Sequence, residues 1–463
     1  MSNKESKKKP DAAQTSRRDF IKTGSSMLVA GGAIAGSLSI AQSAHAFGSD
    51  QIKIGLVGCG GRGTGAADQA MNTEGETKLV AMGDVFEDRL SQSLRSLSSR
   101  HAKKVDVPAD RQFVGFDAFK KVIDSDIDLV ILATSPGFRP LHFETAVNAG
   151  KHIFMEKPVG TDAPGIRRVL EANKIAKEKN LAVAVGLQRH HEKAYIETIN
   201  RLKDGAIGDI IFCRAYWNSG GVWTRNRNAS QTELEYQMRN WYYFNWLCGD
   251  HIVEQHIHNI DVINWLMDGP PETAEGQGGR QVRKGADHGE IYDHHMIEFT
   301  YPNGVKMLSS CRHIPGCWNS VSEHAHGSRG YADISGGKIY DAKGDLAWSY
   351  GQGGRNGHQE EHHDLFALLR NGERPNEVEY GAHSTMTAIF GRMATYSGGH
   401  GAKGGGRVLN YKDALNSDIA LADFDKLTSM EDEAPVKPNP EGAKKQLEQS
   451  PYLVPMPGES VTI

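Results

Sequence analysis

A cluster of glycines near residue 60 has the spacing of a phosphate-binding loop. Gly58, Gly60 and Gly63 form a G-x-G-x-x-G pattern directly after the apolar run at 52–57. Gly58 permits a tight turn, Gly60 lets the backbone approach a pyrophosphate, and Gly63 allows a helix to pack closely on the strand. N–H groups at the start of that helix can bind the anion. The predicted contacts of a dinucleotide in this loop are Gly58, Gly60, Gly61, Arg62 and Gly63.

A carboxylate closes the next apolar run. Asp84 ends the run that begins at Thr77. It lies about 20 residues beyond the last glycine of the loop, where such a group can bond the ribose hydroxyls of NAD. No arginine directly follows Asp84 to hold the 2′-phosphate of NADP, although Arg89 is near in the sequence. The sequence therefore favours NAD as the cofactor, with NADP as the alternative.

A lysine follows another predicted strand. Glu156, Lys157 and Pro158 come directly after the apolar run at 152–155. This order places Glu156 and Lys157 at the carboxyl edge of a parallel sheet, where ligands bind in open α/β folds. We expect both residues to contribute to the cofactor site, and Lys157 to reach the substrate as well.

Acidic and imidazole groups share one face of a predicted helix at 250–266. Glu254, His258 and Asp261 stand at i, i+4 and i+7, so they point in the same direction. The set His251, Glu254 and His258, with the Asp293-His294-His295 run further on, could also form a zinc site of two imidazoles and a carboxylate. Because no HExxH or similar signature is present, the sequence predicts no metal.

Aromatic and basic residues gather in the second half of the chain. Sugar rings present apolar C–H faces that stack on aromatic side chains, while charged groups bind their hydroxyls. Single residues of this group could equally pack over a sheet or at a subunit contact. As a group they favour a carbohydrate-sized pocket. The predicted substrate contacts are Trp223, Arg239, Trp241, Asp261, Arg312 and His313.

The order of predicted elements indicates an α/β fold with two domains. Apolar runs without alternation, separated by helical stretches, suit strands buried on both faces of a parallel sheet. They predict a Rossmann dinucleotide-binding domain at 52–189. From 190 to 426, alternating β-type runs and a Pro302-Asn303-Gly304 hairpin turn predict an α+β domain with a large open, mainly antiparallel sheet. Residues 427–463 are predicted as an extended tail along the surface or disordered.

Composition and the first residues bear on partners and location. A net charge of −4 leaves no basic excess for nucleic acid or anionic lipid. Ser16-Arg17-Arg18-Asp19-Phe20-Ile21 resembles a twin-arginine export signal, and Ala44-His45-Ala46 is an A-x-A cleavage pattern. Residues 1–46 are thus predicted as a cleaved signal that directs the folded protein to the periplasm, with an uncleaved membrane anchor as the alternative.

Taken together, the glycine loop, the Glu156-Lys157-Pro158 motif, the Gly186-Leu187-Gln188-Arg189 strand end and the helix at 250–266 resemble the glucose-fructose oxidoreductase, inositol dehydrogenase and MocA family. The family pattern of an aspartate, three residues, a histidine, two residues and an aspartate maps onto Glu254, His258 and Asp261, with glutamate replacing the first aspartate. The resemblance implies that Lys157 and His258 contact the reacting carbinol, and it implies a homodimer or homotetramer formed through the open sheet.

On this basis we expect an NAD-dependent oxidoreductase that acts on a hydroxyl of a sugar, glycoside or cyclitol. His258 would be the base, because an imidazole with a pKa near ~6.5 can accept a proton at neutral pH. Lys157 would stabilise alkoxide charge, and Glu254 completes the predicted catalytic set. The alternatives are a redox-neutral NAD-dependent glycosidase and a non-catalytic sugar sensor that keeps the nucleotide fold.

Overall fold

A computed structural model describes residues 51–351, 356–397, 408–446 and 450–455. The predicted export signal at 1–46 therefore lies outside the described residues. Two β-sheets dominate the described part of the chain, one of six strands and one of nine.

The first sheet is parallel and has the strand order β3-β2-β1-β4-β5-β6. This is the Rossmann order, so the predicted fold of the first domain is confirmed. Its central strands are apolar on both faces because helices cover both sides of the sheet. The strands are β1 (Ile52–Val57), β2 (Thr77–Asp84), β3 (Gln112–Val114), β4 (Leu129–Leu132), β5 (His152–Met155) and β6 (Val183–Val185).

The first five helices connect successive strands of this sheet, and the sixth leads from β6 to the second sheet. Asp162 begins the longest of them by accepting a hydrogen bond from Gly165 N, as an N-cap does. In chain order the helices are α1 (Gly61–Met71), α2 (Glu87–Arg100), α3 (Ala118–Ile123), α4 (Arg139–Asn148), α5 (Ala163–Glu178) and α6 (Lys193–Lys203).

The second sheet has the order β14-β13-β12-β11-β7-β10-β9-β8-β15. It is mainly antiparallel, as predicted, and only β7 and β10 pair in parallel. The hairpin at Pro302-Asn303-Gly304 joins β9 to β10, with Gly304 at φ 83°. The strands are β7 (Ile210–Ser219), β8 (Thr273–Gly279), β9 (His294–Thr300), β10 (Lys306–His313), β11 (Ser320–Gly327), β12 (Gly330–Asp333), β13 (Lys338–Asp341), β14 (Leu346–Ser349) and β15 (Leu409–Asn410).

Helices pack on one face of the second sheet. They bury the inward side chains of β7, such as Cys213 and Ala215, which are both 0% exposed. The helices of the second half are α7 (Glu233–Arg239), α8 (Asn245–Cys248), α9 (His251–Glu254), α10 (Ile257–Leu266), α11 (Gly357–Arg370), α12 (Val378–Tyr396), α13 (Tyr411–Leu415) and α14 (Pro440–Lys445).

The chain returns to the first sheet late in the sequence. Helix α11 packs against α1, and Val183 N at the sheet edge donates to Pro375 O at 2.8 Å. The Glu377 carboxylate accepts from Val185 N at 2.8 Å. Segments from beyond the predicted boundary at Arg189 therefore complete the Rossmann domain.

The described part of the C-terminal tail has little regular structure and is packed against the second half of the chain. Tyr452 is 0% exposed, and its hydroxyl donates to the Glu233 carboxylate at 2.6 Å. Tyr292 Oη donates to Pro455 O at 2.6 Å. The buried ring of Tyr452 and these hydrogen bonds fix the tail in place, although its composition is polar.

None of the helices in the described residues has the length and apolar character that a membrane span requires.

Candidate active site

A cleft of about 680 Å³ opens at the carboxyl edge of the parallel sheet. It lies where the strand order reverses between β1 and β4, which is the position that open α/β sheets use for ligands. Both halves of the chain line it. The glycine loop, Asp84 and Lys157 come from the first half, and Glu254 and His258 come from the second.

The glycine loop has the shape expected of a phosphate cradle. Gly58 turns with φ 94°, and a Cβ on Gly63 would stand 1.8 Å from Gly58 O, so the helix can approach the strand only without a side chain. A Cβ on Gly60 or Gly61 would meet nothing within 4 Å, so this side of the loop is open. No side chain caps α1, which leaves its first N–H groups free to bind an anion.

The Asp84 carboxylate lies beside this loop and is oriented by the main chain. It accepts hydrogen bonds from Cys59 N at 2.6 Å and from Phe86 N at 2.9 Å. Burial raises the pKa of Asp84 from its usual value, and the two N–H donors and Arg89 oppose that rise. Arg89 also lines the cleft. Asp84 is thus placed where a ribose of a bound dinucleotide would reach it.

Two further residues predicted to contact the cofactor form an ion pair at the edge of the cleft. Arg62 Nε lies 2.9 Å from Glu156 Oε1, and the Glu156 side chain is only 5% exposed. Glu156 sits at the end of β5 and Arg62 in the first turn of α1. The pair therefore ties the glycine loop to the strand end that carries Lys157.

Lys157 and Glu254 meet across the cleft. Lys157 Nζ donates to Glu254 O at 2.6 Å and to Glu254 Oε1 at 3.0 Å. Both side chains are 13% exposed, so solvent screens the pair only partly. The Glu254 carboxylate, which the sequence predicts as part of the catalytic set, therefore binds the Lys157 ammonium.

The same contact corrects the prediction of one continuous helix at 250–266. Two helices, α9 and α10, replace it, with Gln255 and His256 between them. The Glu254 carbonyl accepts from Lys157, while His258 N donates instead to Gln255 O at 3.3 Å. The ladder of helical hydrogen bonds therefore breaks at the residue whose carbonyl accepts from Lys157.

His258 begins α10 and lines the cleft, although only 7% of it is exposed. Its ring stacks on Trp217 at 6.0 Å between centroids. Within the described residues, its buried Nδ1 has no hydrogen-bond partner. Burial, followed by the charge of Lys157, holds the pKa of His258 well below its usual value. The imidazole is therefore neutral at physiological pH, which leaves one ring nitrogen with a lone pair.

The structure brings three of the predicted substrate residues to the cleft. Trp223, Arg239 and Trp241 all line it, and the two indoles meet edge to face at 6.1 Å. Arg239 lies over the Phe86 ring and pairs with Asp88 and Glu235. These two carboxylates, one from each half of the chain, balance the charge of Arg239. The side chain therefore links the two halves at the wall of the cleft.

Asp261, Arg312 and His313 do not line the cleft. Asp261 accepts from Ser384 Oγ at 2.8 Å and lies 2.9 Å from His190 Nε2, because α10 turns it toward α12. Arg312 donates to Trp318 O at 2.7 Å on the outer face of β10. His313 is buried on the opposite face. Strand alternation separates these two neighbours, and neither face of β10 at this point meets the cleft.

Several residues that line the cleft are not among the predicted site residues, and Trp217, Arg225, Gln255 and His358 are examples. Trp217 belongs to β7, and its stacking on His258 depends on how that strand packs, which the sequence does not show. Arg225 lies over Trp223 at 4.9 Å. His358 comes from α11, the helix that returns to the first sheet, and no local pattern predicts that return.

Two sequence models of known families match the chain. Residues 52–187 match an oxidoreductase family with an NAD-binding Rossmann fold, and residues 195–333 match the GFO/IDH/MocA C-terminal domain. Together the matched segments cover more than half of the chain.

Individual relatives support the same assignment. An inositol 2-dehydrogenase of Salmonella typhimurium is 28% identical over 230 residues, which are 50% of this chain and 59% of that protein. The chain thus spans less than two thirds of the relative's length. An uncharacterized oxidoreductase of Streptococcus pneumoniae is 25% identical over 73% of this chain and 83% of its own.

Solved structures share the fold. The scyllo-inositol dehydrogenase of Lactobacillus casei, solved with NAD(H) and scyllo-inositol, superposes with a TM-score of 0.57 at 20% identity, over 78% of this chain and 99% of that one. With the two family matches, this fold places the protein: the chain belongs to the Gfo/Idh/MocA family of oxidoreductases, and its first domain is the family's NAD-binding Rossmann domain.

Proposed function

We propose that the protein is an NAD-dependent dehydrogenase that oxidises a hydroxyl of a sugar, glycoside or cyclitol. One observation carries the proposal: Lys157 and the neutral, buried His258 line the same cleft as the open glycine loop. The names of relatives agree with this chemistry, since they include inositol 2-dehydrogenases and a levoglucosan dehydrogenase solved with NADH and levoglucosan.

The residues present fit NAD. The loop side of Gly60 and Gly61 has room for a pyrophosphate, and the N–H groups of α1 face that space. The Asp84 carboxylate is oriented for ribose hydroxyls. When bound, NAD supplies the acceptor for the hydride that leaves the carbinol carbon.

His258 would remove the hydroxyl proton. Oxidation of an alcohol needs the O–H proton to leave as the C–H bond breaks, and a neutral imidazole at the cleft wall can accept it. Burial keeps the ring uncharged before the reaction. The proton thus moves from the substrate oxygen to the imidazole, and the electron pair of the C–H bond leaves as hydride.

Lys157 would stabilise the charge that develops on the substrate oxygen. Its ammonium is held at the cleft by the carbonyl and the carboxylate of Glu254, which fix its position before substrate arrives. A preorganised cation in a site partly shielded from water stabilises an alkoxide more than a mobile one does. Glu254 therefore acts as a positioning residue.

The indoles of Trp217, Trp223 and Trp241 give the cleft an aromatic wall. Trp223 is 40% exposed, so its ring is available for stacking. Such a wall suits the C–H face of a sugar or cyclitol ring. We infer a small carbohydrate substrate from this wall.

The test is reduction of NAD by the purified protein with a panel of cyclitols, aldoses and glycosides. His258→Gln should lower turnover roughly a hundredfold or more. His288→Gln, at a half-buried histidine outside the cleft, should not change it. Release of an aglycone from a glycoside without net NADH would instead identify the redox-neutral glycosidase. If no compound of the panel causes reduction of NAD, the protein would instead be the non-catalytic sugar sensor.

We also propose that residues 1–46 direct export of the folded protein to the periplasm and that NAD travels in the cleft. The motif Ser16-Arg17-Arg18 supports the route, which carries folded proteins. A retained cofactor must be re-oxidised in place, by a second carbonyl substrate or by return of the hydride. Extended dialysis of exported protein tests retention. Complete loss of nucleotide, with activity regained only on adding NAD, would contradict it.

A further inference from the structure

One arginine on the cleft wall has no role in the proposed chemistry. Arg225 follows β7 in a segment without regular structure, and it lines the cleft together with Trp223 and Trp241. Its side chain is exposed to solvent. The proton acceptor His258 and the cation Lys157 already account for the proposed oxidation. Arg225 is therefore available for binding.

The main chain and an aromatic ring fix the position of Arg225. Arg225 N donates to Asn240 Oδ1 at 2.8 Å. Asn240 is 0% exposed, and its Nδ2 donates to Asp287 O at 2.8 Å. The guanidinium lies over the Trp223 ring at 4.9 Å, and Trp223 meets Trp241 edge to face at 6.1 Å. A cation–π contact thus holds the positive charge at the aromatic wall of the cleft.

The other arginines of the cleft, and its lysine, have partners within the protein. Carboxylates or main-chain carbonyls engage each of them. These partners are Glu156 for Arg62, Asp84 for Arg89, Leu132 O and Thr134 O for Arg139, Glu254 for Lys157, and Asp88 and Glu235 for Arg239. Arg225 differs, because within residues 51–351, 356–397, 408–446 and 450–455 no carboxylate pairs with its guanidinium. Its charge can therefore pair with a ligand.

The negative charge of NAD fits another part of the cleft. The open side of Gly60 and Gly61, with the uncapped first N–H groups of α1, suits the pyrophosphate. The loop belongs to the first half of the chain, whereas Arg225 belongs to the second half and to the wall that suits a sugar ring. The unpaired guanidinium therefore indicates a negative charge on the substrate.

The chemistry of a guanidinium favours one kind of anion. Its planar N–H fork matches the two oxygens of a carboxylate, and a guanidinium that packs on an aromatic ring can still bind through that fork. One guanidinium balances the single charge of a carboxylate, whereas a phosphate monoester carries about two negative charges at neutral pH. The neighbouring indoles suit the C–H face of a sugar. A sugar that carries a carboxylate fits both features.

We propose that the substrate is a sugar acid and that Arg225 binds its carboxylate. This inference rests on the proposed dehydrogenase function and narrows its substrate class. Hexuronic acids are the simplest compounds of this kind, since one ring carries both the carboxylate and the hydroxyls. Arg225 is thus a specificity-determining residue, which binds the substrate and takes no part in the transfer of hydride or proton.

The first experiment compares matched substrates with the purified wild-type protein and saturating NAD. Glucuronate, galacturonate and mannuronate are each paired with glucose, galactose and mannose, and initial rates of NADH formation give kcat/KM. For the best acid, kcat/KM should exceed that of its hexose roughly 10-fold to 100-fold, as expected for a charge-assisted hydrogen bond. Equal values in every pair would overturn the proposal. So would a preference for the matching hexose phosphates over the acids.

The second experiment removes the charge. In Arg225→Met the ratio of kcat/KM between acid and hexose should fall to about one, mainly through a higher KM for the acid, because the guanidinium binds ground state and transition state alike. Arg225→Lys should recover part of the ratio, since it keeps the charge without the planar fork. Arg201→Met is the matched control: Arg201 packs over the Trp348 ring at 4.5 Å but lies outside the cleft. An unchanged ratio in Arg225→Met would overturn the proposal.

Calorimetric titration separates a substrate role from a cofactor role. The dissociation constant of NAD should be the same for wild type and Arg225→Met. An increase as large as the increase in KM for the acid would assign Arg225 to the cofactor phosphates and overturn the proposal.

The same titration, made with the acids and the hexoses, separates this proposal from the proposed function. If no compound causes reduction of NAD, the dehydrogenase function fails. Tighter binding of an acid than of its hexose by wild type, lost in Arg225→Met, would then still support the carboxylate site. Equal binding of acid and hexose would overturn it as well.

Discussion

Lys157 and Glu254 are joined by two hydrogen bonds, although 97 residues separate them in the chain. The ammonium reaches the main-chain carbonyl at 2.6 Å and the carboxylate at 3.0 Å. The first contact lies at the last residue of α9, and the second places a negative charge beside the lysine. One side chain of the Rossmann domain thus shapes the helix of the second half that delivers His258 to the same cleft.

The first prediction separates the charge of Glu254 from its carbonyl. Glu254→Gln keeps the main-chain bond to Lys157 but removes the ion pair, so kcat should fall roughly tenfold while KM changes little. Lys157→Met should lower kcat about a hundredfold or more. Glu254→Asp restores the carboxylate of the family pattern and should recover part of the loss. Steady-state kinetics on one verified substrate measures all three.

The charge of Lys157 should also lower the pKa of His258. Burial and the Lys157 charge both lower the pKa of His258. Removing the cation in Lys157→Met leaves burial and the charges of Arg189 and His358, so the pKa of His258 should rise but stay below its usual value. NMR titration of the imidazole signal checks the direction. An unchanged or lower pKa in Lys157→Met would show that the two groups do not interact.

The second prediction concerns cofactor choice. Asp84→Ala removes the carboxylate beside the glycine loop, so the dissociation constant for NAD should rise at least roughly tenfold. NADP affinity should not fall in parallel, because Arg89 stays at the cleft. Calorimetric titration with both nucleotides measures the ratio. Asp88→Ala is the control, since Asp88 pairs with Arg239 and does not line the cleft.

The third prediction is a loss of stability in acid. Burial lowers the pKa of His142 and His256 to about 3 and that of His152 to about 4. In the unfolded chain each titrates near ~6.5. Below that pH the unfolded state binds protons that the native state does not. The free energy of unfolding therefore falls with decreasing pH, by about 1.4 kcal/mol per pH unit for each histidine.

Urea denaturation between about pH 6 and about pH 4.5 tests this dependence. His142→Gln removes one of the three groups, so its stability should fall less steeply with acid than that of wild type. His294→Gln is a suitable comparison because its side chain is 41% exposed. Equal slopes for wild type and His142→Gln would mean that His142 is charged in the native state.

The sequence predicted those parts of the site that depend on local order along the chain. The glycine loop, Asp84 and Lys157 each directly follow a buried strand, and parallel strands bring their carboxyl ends to one edge. The nine-stranded sheet was likewise visible as alternating runs with a Pro302-Asn303-Gly304 turn. In these elements the local pattern and the global fold agree.

Long-range contacts decided what the sequence did not predict. The helix breaks after Glu254, whose carbonyl accepts from a lysine 97 residues away. Asp261 has the spacing of a site residue, yet it bonds His190 and Ser384 and does not line the cleft. His295 Nδ1 lies 2.8 Å from Thr395 Oγ1, although 100 residues separate the two in the chain. Residue spacing within one helix carries no information about such partners.

The last prediction concerns the C-terminal tail, which the sequence predicts as extended along the surface or disordered. Tyr452 is fully buried, packs edge to face on Phe244 at 5.0 Å and bonds Glu233 and Arg227 through its hydroxyl. Tyr452→Ala opens a cavity in the cluster beneath the cleft wall, so the free energy of unfolding should fall by about 3–5 kcal/mol. Tyr452→Phe keeps the ring and should cost only about 1 kcal/mol. Leu453→Ala, at a side chain that is 41% exposed, should have little effect.

Urea denaturation of the three variants measures these differences. If Tyr452→Ala unfolds at the same urea concentration as Leu453→Ala, the tail does not contribute to the stability of the fold. A loss confined to Tyr452→Ala would instead show that residues near the end of the chain hold the helix α7 and, through it, the wall that carries Arg239.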